Sequence, residues 1–327
     1  MLTIPIQVTG DAWNNRKEVK ELLPTLTPNT QIMLDLCSEG PSLKALGVID
    51  VFQQYEFDIT ITRWSNSVET VPYNKYLCNS QSHFYPFGRQ YWRPSWPDKI
   101  ENTVPSEFRF GLFLGRSTLS RNRILYDAAT KWGDKFLLSK MRDRFNPNNW
   151  ATSPASLESV DDWFEDVDTA QHWFKDCPVN SIDNHVIQDQ FRVPELSSAE
   201  LALSLLEFYK KFNVELVCES YTLGETFFPT EKTVRPIVGN RPFIVFGPRN
   251  FLTNLKEQEG FKTFDHVWDE SYDTLEGRPR WDSISKLIEN LLSFNDAQWN
   301  EIIQEASIIT SHNQVILRKI IHDRKKL

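Results

Sequence analysis

The chain has 327 residues, of which 40% are hydrophobic and 24% charged, and its formal net charge is −8. This length suits two domains of roughly 150 residues each, and the balance is that of an ordinary globular protein. The acidic charge argues against a protein built mainly for non-specific nucleic-acid binding, because such binding depends on neutralising phosphates.

The first residues, MLTIPIQVTG, predict a strand and a glycine turn, without a basic segment before a long apolar stretch. No apolar run approaches about 18 residues, so we expect neither a signal peptide nor a membrane span. The cysteines are isolated, without metal-site spacing: Cys37, Cys78, Cys177 and Cys218. We expect Cys37 and Cys218 to be core thiols in a reducing compartment. These features predict a cytoplasmic protein.

Residues 1 to about 105 predict a first α/β domain. The apolar runs indicate strands over 2–8, 31–36 and 57–62, and a short helix over 16–23. The second strand contains Asp35, and Glu39 follows in the next loop. Either Ser38 or Glu39 can also serve as a cap for a helix that begins at Pro41.

The segment from His83 to Pro97 is rich in proline, aromatic residues and arginine. Proline excludes a regular helix there, so the segment is either a substrate loop or a connection between domains. Its rings and arginines can stack on acceptor sugars, or can stack bases and hold phosphates of a nucleic acid.

A second domain is predicted to open with a strand over 108–114, a polar loop and a helix that ends near Gly133. The loop and the first helical turn contain Gly115 and three arginines, Arg116, Arg121 and Arg123, of which Arg123 is best placed at the helix start. These arginines are either ligands for an anion or ordinary surface residues.

Residues 146–200 are the least informative. Asp166 and Asp168 form an Asp-x-Asp pattern, but no apolar strand precedes them, so a solvated acidic face is favoured over a metal site. The six histidines are scattered and show no metal-site pairing. We expect no bound metal.

Residues 214–248 carry the strongest functional signal. An apolar strand ends at Glu219 and Ser220, a loop leads to the helix start at Thr230, Glu231 and Lys232, and a second strand follows over 242–246. In such α/β units ligands bind beyond the strand ends. A helix N-terminus beside a lysine suits a phosphate, because free N–H groups and the positive end of the helix dipole face it. Three further helices are predicted over 252–260, 282–292 and 298–325.

This stretch resembles the donor-binding motif of the α-1,3-fucosyltransferases and related GT-B glycosyltransferases, with Ser220 in place of the usual asparagine. The resemblance covers about residues 108–300. It implies two Rossmann-like domains facing across a cleft, over 1–105 and 106–300, and a C-terminal helix over 301–327 that packs back on the first domain.

The resemblance also implies an inverting, metal-independent transfer of a sugar from a nucleoside-diphosphate sugar, GDP- or UDP-linked, to a hydroxyl of a glycan or lipopolysaccharide-type acceptor. Animal fucosyltransferases usually carry a membrane anchor, so the lack of an apolar span predicts an enzyme of a bacterial or virus-infected cell. No separate cofactor is implied. Lys232, Arg123 and Arg116 would neutralise the diphosphate, and Glu231 would hold the ribose. Glu219 and Ser220 would bind the donor sugar or the active-site loop; alternatively Glu219 pairs with Arg235 or Arg241.

Inverting transfer also needs a general base for the acceptor hydroxyl. Glu39 is the first candidate, and Asp35 and His83 are alternatives. Two other functions remain open: a viral enzyme that glycosylates modified DNA bases, and a non-catalytic sugar- or nucleotide-binding module with the same fold.

Overall fold

The computed structural model describes residues 1–9, 12–36, 42–64, 69, 75–78, 106–114, 118–140, 160–165, 169 and 208–323. Within these residues the chain forms two four-stranded parallel sheets and a small two-stranded antiparallel sheet, with helices packed around them. The predicted α/β class is therefore confirmed, and the parallel strands form an N-terminal and a C-terminal set.

The first parallel sheet belongs to the N-terminal unit. The strands of this part of the chain are β1 (Leu2–Pro5), β2 (Val8–Thr9), β3 (Ala12–Trp13), β4 (Gln31–Asp35), β5 (Asp58–Trp64) and β6 (Lys75–Cys78), and the helices are α1 (Arg16–Leu22) and α2 (Val48–Phe52). The sheet has the order β1-β4-β5-β6 with every pair parallel, whereas β2 and β3 pair with each other. The predicted strands over 31–36 and 57–62 and the predicted helix over 16–23 are confirmed to within two residues.

The predicted strand over 2–8 is divided in the structure, and the side chain of Asn15 explains the break. The Asn15 amide donates to the carbonyl of Pro5 at 2.7 Å, and its oxygen accepts from the N–H of Gln7 at 3.0 Å. These bonds satisfy the Pro5 carbonyl and the Gln7 N–H outside the sheet, so the chain leaves the parallel sheet after Pro5, which still pairs with Asp35, and enters the β2–β3 hairpin.

The second parallel sheet is built from β7 (Phe108–Leu114), β8 (Phe136–Lys140), β9 (Phe212–Cys218) and β10 (Phe243–Phe246). Its order is β10-β9-β7-β8, and all pairs are parallel. The helices of this unit are α3 (Leu119–Trp132), α4 (Val160–Trp163), α5 (Glu231–Val238), α6 (Phe251–Glu259), α7 (Gly277–Ser293) and α8 (Asp296–Asp323). The predicted strands and helices of this unit are thus present, with α7 starting five residues earlier than expected.

The two central strands, β7 and β9, are buried on both faces, as expected for a parallel sheet covered by helices. Phe110 of β7 stacks on Phe136 of β8 at 4.9 Å, and Trp132 at the end of α3 stacks on the same Phe136 at 5.6 Å. Phe113 lies on the opposite face of β7, since side chains alternate along a strand, and Arg235 of α5 lies over its ring. Helices α3 and α5 therefore cover opposite faces of the sheet.

The long helix α8 packs on the second unit in the contacts that the structure describes. Trp299 lies 5.7 Å from the ring of Phe110, the Asn313 side chain bonds the backbone of Lys262, and Gln314 donates to the Val238 carbonyl. Packing of this helix on the first unit stays a prediction. None of the helices in the described part of the chain combines the length and apolarity needed to cross a bilayer.

Gly133 directly follows α3, as predicted. Its φ of −50° is right-handed, so it does not reverse the chain in a left-handed cap. The backbone instead continues into a short 3₁₀ turn over Gly133–Lys135 and enters β8.

Candidate functional site

The order of the second sheet places a topological switch point at its carboxyl edge, where a crevice is expected. From β7 the chain runs through α3 to β8 on one side, and from β9 it runs through α5 to β10 on the other side. The neighbouring strands β7 and β9 are therefore followed by helices on opposite faces of the sheet. Such a switch point, beyond the carboxyl ends of the strands, is where open α/β sheets bind their ligands.

Helix α5 begins at this crevice, and Glu219 fixes its first turn. The carboxylate is 1% exposed and accepts from the Thr230 N–H at 3.1 Å, the Thr230 hydroxyl at 2.6 Å, the Ser220 N–H at 3.2 Å and the Thr233 hydroxyl. Thr230 is the N-cap residue of α5. Glu219 thus ties the end of β9 to the start of α5, and its role in the structure is to hold this loop.

The expected arginine partners of Glu219 are engaged elsewhere. Arg235 pairs with Glu215 at 3.1 Å, and Arg241 donates to the Phe212 carbonyl at 2.9 Å. Glu219 therefore holds the loop, as one hypothesis predicted, but its partner is not an arginine. Threonine hydroxyls at the helix start perform this task instead.

Lys232 lies in the first turn of α5, and its ammonium is directed back over the N-terminus of the helix. It donates to the Ser220 hydroxyl at 3.0 Å and to the Thr230 hydroxyl at 3.2 Å, and the residue is half-buried. Thr230 also accepts from the Lys232 N–H at 3.3 Å and donates to Glu219. A hydroxyl offers one proton and two lone pairs, so that of Thr230 is fully used. The ammonium is thereby held at the crevice.

The arginines predicted from the first turn of α3 have structural partners. Arg121 is 5% exposed, and its guanidinium donates to the carbonyl of Glu219 and, at 3.4 Å, to that of Cys218. Arg123 pairs with Asp127 at 3.1 Å and donates to the Trp163 carbonyl at 3.0 Å. Arg121 therefore lies at the crevice and joins α3 to the end of β9, whereas Arg123 joins α3 to α4. A contact of either residue with a donor stays a prediction.

The other predicted site residues are placed only in part. Asp35 is the last residue of β4, at the carboxyl edge of the first sheet. Glu231 is the first residue of α5, and the structure describes its backbone. The remaining predicted site residues, Gly115, Arg116, Glu39 and His83, lie outside the described residues, as do the aromatic segment 83–97 and the Asp166-Asp168 pattern.

The carboxyl edges of the two sheets meet at Gly224, in the loop between β9 and α5. A Cβ atom built on Gly224 would lie 2.4 Å from the Ser42 Oγ and 2.8 Å from the Ala45 Cβ. Ser42 and Ala45 belong to the turn that follows β4 in the first unit. The turn that follows β4 and the loop that follows β9 therefore touch each other.

Sequence reasoning missed the side chains that hold this contact. Glu69 accepts from the Ser42 hydroxyl at 2.6 Å and from the N–H groups of Leu43 at 2.7 Å and Lys44 at 3.2 Å. On the other side, Glu276 accepts from the Gly224 N–H at 2.7 Å and from Arg249 at 2.8 Å. Glu69 is 27 residues from Ser42, and Glu276 is 52 residues from Gly224, so no local sequence motif indicates these contacts.

Burial raises the pKa of groups near the end of β9 and at the Ser42 turn. Burial raises the pKa of the Cys218 thiol to about 12, which makes it an inert core thiol as predicted. Burial also raises the pKa of Glu215, while Arg235 and the Tyr209 hydroxyl act in the opposite direction. The pKa of Glu69 is raised by burial, against the hydrogen bonds from Ser42, Leu43 and Lys44.

A metal centre finds no support in the described ranges, which contain no group of three or more His, Cys, Asp or Glu side chains placed to hold an ion. The groups that this site offers to a ligand are the Lys232 ammonium, the Ser220 hydroxyl and the first turn of α5, which favour an anion.

Two solved structures are similar to the chain over most of its length. A UDP-forming α,α-trehalose-phosphate synthase from Burkholderia xenovorans is 10% identical, with a TM-score of 0.32, and the match covers 93% of this chain and 70% of that one. An OtsA apo structure is 9% identical, with a TM-score of 0.30 and coverage of 95% and 76%. No protein-family model matches the sequence, and the comparison with curated proteins gave no match. The architecture described above rests on the strands and helices of this chain alone.

Proposed function

We propose that the protein is a GT-B glycosyltransferase that moves a sugar from a nucleoside-diphosphate sugar to an acceptor hydroxyl. The observation that carries the proposal is the position of the Lys232 ammonium, 3.0 Å from the Ser220 Oγ and 3.2 Å from the Thr230 Oγ1 at the N-terminus of α5. The ammonium and the helix dipole both favour a diphosphate there.

The leaving diphosphate is the group whose charge must be stabilised during transfer. A fixed ammonium and a helix N-terminus can supply that stabilisation without a metal, since both are oriented before the reaction begins. In this proposal Lys232 binds the diphosphate, and Glu231 binds the ribose as the resemblance to fucosyltransferases implies. The transferred sugar is a hexose or a fucose, and the transfer proceeds with inversion to a glycan-type acceptor.

In this proposal the acceptor enters from the first unit, whose Ser42–Ala45 turn lies against Gly224. The general base is then one of the three acidic or histidine side chains proposed from the sequence, Glu39, Asp35 or His83. Replacing the true base by its amide or by asparagine lowers kcat by about 10²- to 10⁴-fold, with the KM for the donor nearly unchanged. The variants Glu39→Gln, Asp35→Asn and His83→Asn, measured at saturating donor, identify it.

A thermal-shift panel of UDP-, GDP-, CMP- and dTDP-sugars tests the donor site directly, because a ligand that binds only the folded state raises Tm. The best donor is then titrated against wild type, Lys232→Met and the matched control Lys286→Met, in which an exposed lysine of α7 is replaced. A hydrogen bond to a charged group contributes about 1.5–3 kcal/mol, so Lys232→Met weakens Kd about 10- to 150-fold. An unchanged Kd in Lys232→Met would refute the proposed diphosphate site.

Release of nucleoside diphosphate separates a transferase from a binding module. Donor binding without release for any acceptor tested favours the non-catalytic alternative. The DNA-base alternative depends on residues 83–97, and it predicts duplex DNA binding that falls steeply with salt. Absence of DNA binding at low salt removes it.

A further inference from the structure

Gly224 is the point at which the two units approach most closely in the contacts above. Its φ is +69°, and a Cβ added there would lie 2.4 Å from the Ser42 Oγ, 2.7 Å from the Ser42 Cβ and 2.8 Å from the Ala45 Cβ. Distances under 3.0 Å are repulsive for these atoms, so no residue larger than glycine fits without moving one of the two loops.

Each of the two loops is fixed by hydrogen bonds to a buried or half-buried carboxylate. Glu69, which is 7% exposed, binds the Ser42–Ala45 turn through the hydroxyl of Ser42 and the N–H groups that follow it. Glu276 binds the Gly224 N–H at 2.7 Å, and the Arg249 N–H donates to the Gly224 carbonyl at 3.3 Å. Neither loop can move away from the other without breaking these hydrogen bonds. A displacement of the Gly224 loop should therefore displace the Ser42–Ala45 turn, and the reverse.

We propose that Gly224, the Ser42–Ala45 turn and Glu69 form a fixed spacer that sets the separation between the carboxyl edges of the two sheets. Gly224 and Glu69 are then positioning residues, which act through the distance between an acceptor bound near β4 and a donor bound at Lys232. This kinetic role rests on the proposed function, whereas the mechanical coupling of the loops does not.

Hydrogen exchange tests the coupling without any ligand. The variant Gly224→Ala is compared with Gly260→Ala and Gly277→Ala, two controls that also have positive φ, of +75° and +58°. A Cβ at Gly260 meets nothing within 4 Å, and one at Gly277 meets only the Leu223 Cδ2 at 3.7 Å. All three variants carry backbone strain, and only Gly224→Ala adds the collision.

The expected result is faster exchange of the amides of residues 43–45 in Gly224→Ala, at least about 10-fold, although they lie some 180 residues away in sequence. The two controls leave these amides unchanged. Equal exchange at 43–45 in Gly224→Ala and in the controls would overturn the spacer.

A second variant covers the case in which Gly224→Ala does not fold. Glu69→Gln replaces one acceptor oxygen by an amide that cannot accept from the Ser42 turn. The spacer predicts faster exchange in the second unit, over residues 221–228, and unchanged exchange in the distant helix α6. Unaltered exchange over 221–228 overturns the proposal.

Steady-state kinetics test the positioning role with the sugar nucleotide that gives the largest thermal shift. Displacement of reacting groups by about 1 Å can lower the rate about 100-fold, so kcat falls about 10- to 100-fold in Gly224→Ala and Glu69→Gln. The KM for the donor stays within about 3-fold, because the Lys232 site is intact. A rise of about 10- to 100-fold in the KM for the donor, with kcat unchanged, would overturn the positioning role. Absence of turnover in wild type refutes the proposed function instead, and the exchange result still decides the coupling.

Discussion

Replacing Glu219 by glutamine should destabilise the second unit without removing an atom from its core. Each carboxylate oxygen of Glu219 accepts two donors: one bonds the Thr230 N–H and the Thr233 hydroxyl, and the other bonds the Thr230 hydroxyl and the Ser220 N–H. Glutamine provides one oxygen and one amide group. A threonine hydroxyl can rotate to accept from that amide, but a backbone N–H cannot.

Whichever way the amide is placed, one backbone N–H in Glu219→Gln loses its acceptor in a site that is 1% exposed. An unsatisfied buried donor costs about 1–3 kcal/mol, and the remaining bonds lose their charge assistance. We therefore expect a loss of about 2–3 kcal/mol in the free energy of unfolding. For a unit of this size that loss lowers Tm by about 4–12 °C.

Thermal and urea unfolding followed by circular dichroism measure this loss. The matched control is Glu289→Gln, the same change at an exposed position of α7, which should shift Tm by less than about 1 °C. If Glu219→Gln has the same Tm as the control Glu289→Gln, the hydrogen bonds of the Glu219 carboxylate do not stabilise the loop. Glu219 would then be available to a ligand, and the reasoning from its four donors would be wrong.

Three further predictions concern the framework of the second unit. Gly111→Ala should lower the free energy of unfolding, measured in urea, by about 1–3 kcal/mol, because its Cβ would lie 2.8 Å from the Phe212 ring. Its control is Gly133→Ala, whose Cβ would have nothing within 4 Å, so that this change should be neutral or slightly stabilising. Asp127→Asn should lower the free energy of unfolding by about 3 kcal/mol, because the 1% exposed carboxylate accepts from the Trp281 indole at 2.7 Å and pairs with Arg123. An unchanged urea midpoint would contradict this prediction. Burial raises the pKa of Glu270 from 4.5 to about 7, so its protonated form contributes stability below pH 4.5 that is lost as the pH rises to 7. Glu270→Gln should flatten that part of the Tm profile, and an identical profile in wild type and variant would show that Glu270 is not responsible.

The fold of the second unit could be predicted because its signals are local. Apolar runs with polar ends mark β7, β9 and β10, and the threonine at position 230 is a good N-cap residue immediately before an amphipathic helix. Even the position of Lys232 follows from that local pattern, since a residue in the first turn of a helix must lie near its N-terminus.

The partners within the site could not be predicted in the same way. Glu219 was expected to bind the donor sugar, the active-site loop or an arginine, and the sequence did not identify its partners, which are the N–H and hydroxyl of Thr230 and the hydroxyl of Thr233, 11 and 14 residues further along the chain. Arg121 binds the carbonyl of Glu219 across 98 residues. Such pairings depend on how the sheet brings β7 and β9 together, and residue type alone does not distinguish an arginine that binds carbonyls from one that binds phosphate.

The placement of β7 between β9 and β8 has a consequence for biosynthesis. Phe110 of β7 pairs with Val214 of β9, across roughly 100 residues, so an emerging chain presents a bare apolar strand edge until the second partner leaves the ribosome. An unpaired edge of this kind promotes association between nascent chains. Slower translation between the two strands should therefore lower the yield of native protein, and co-expressed chaperones should restore it.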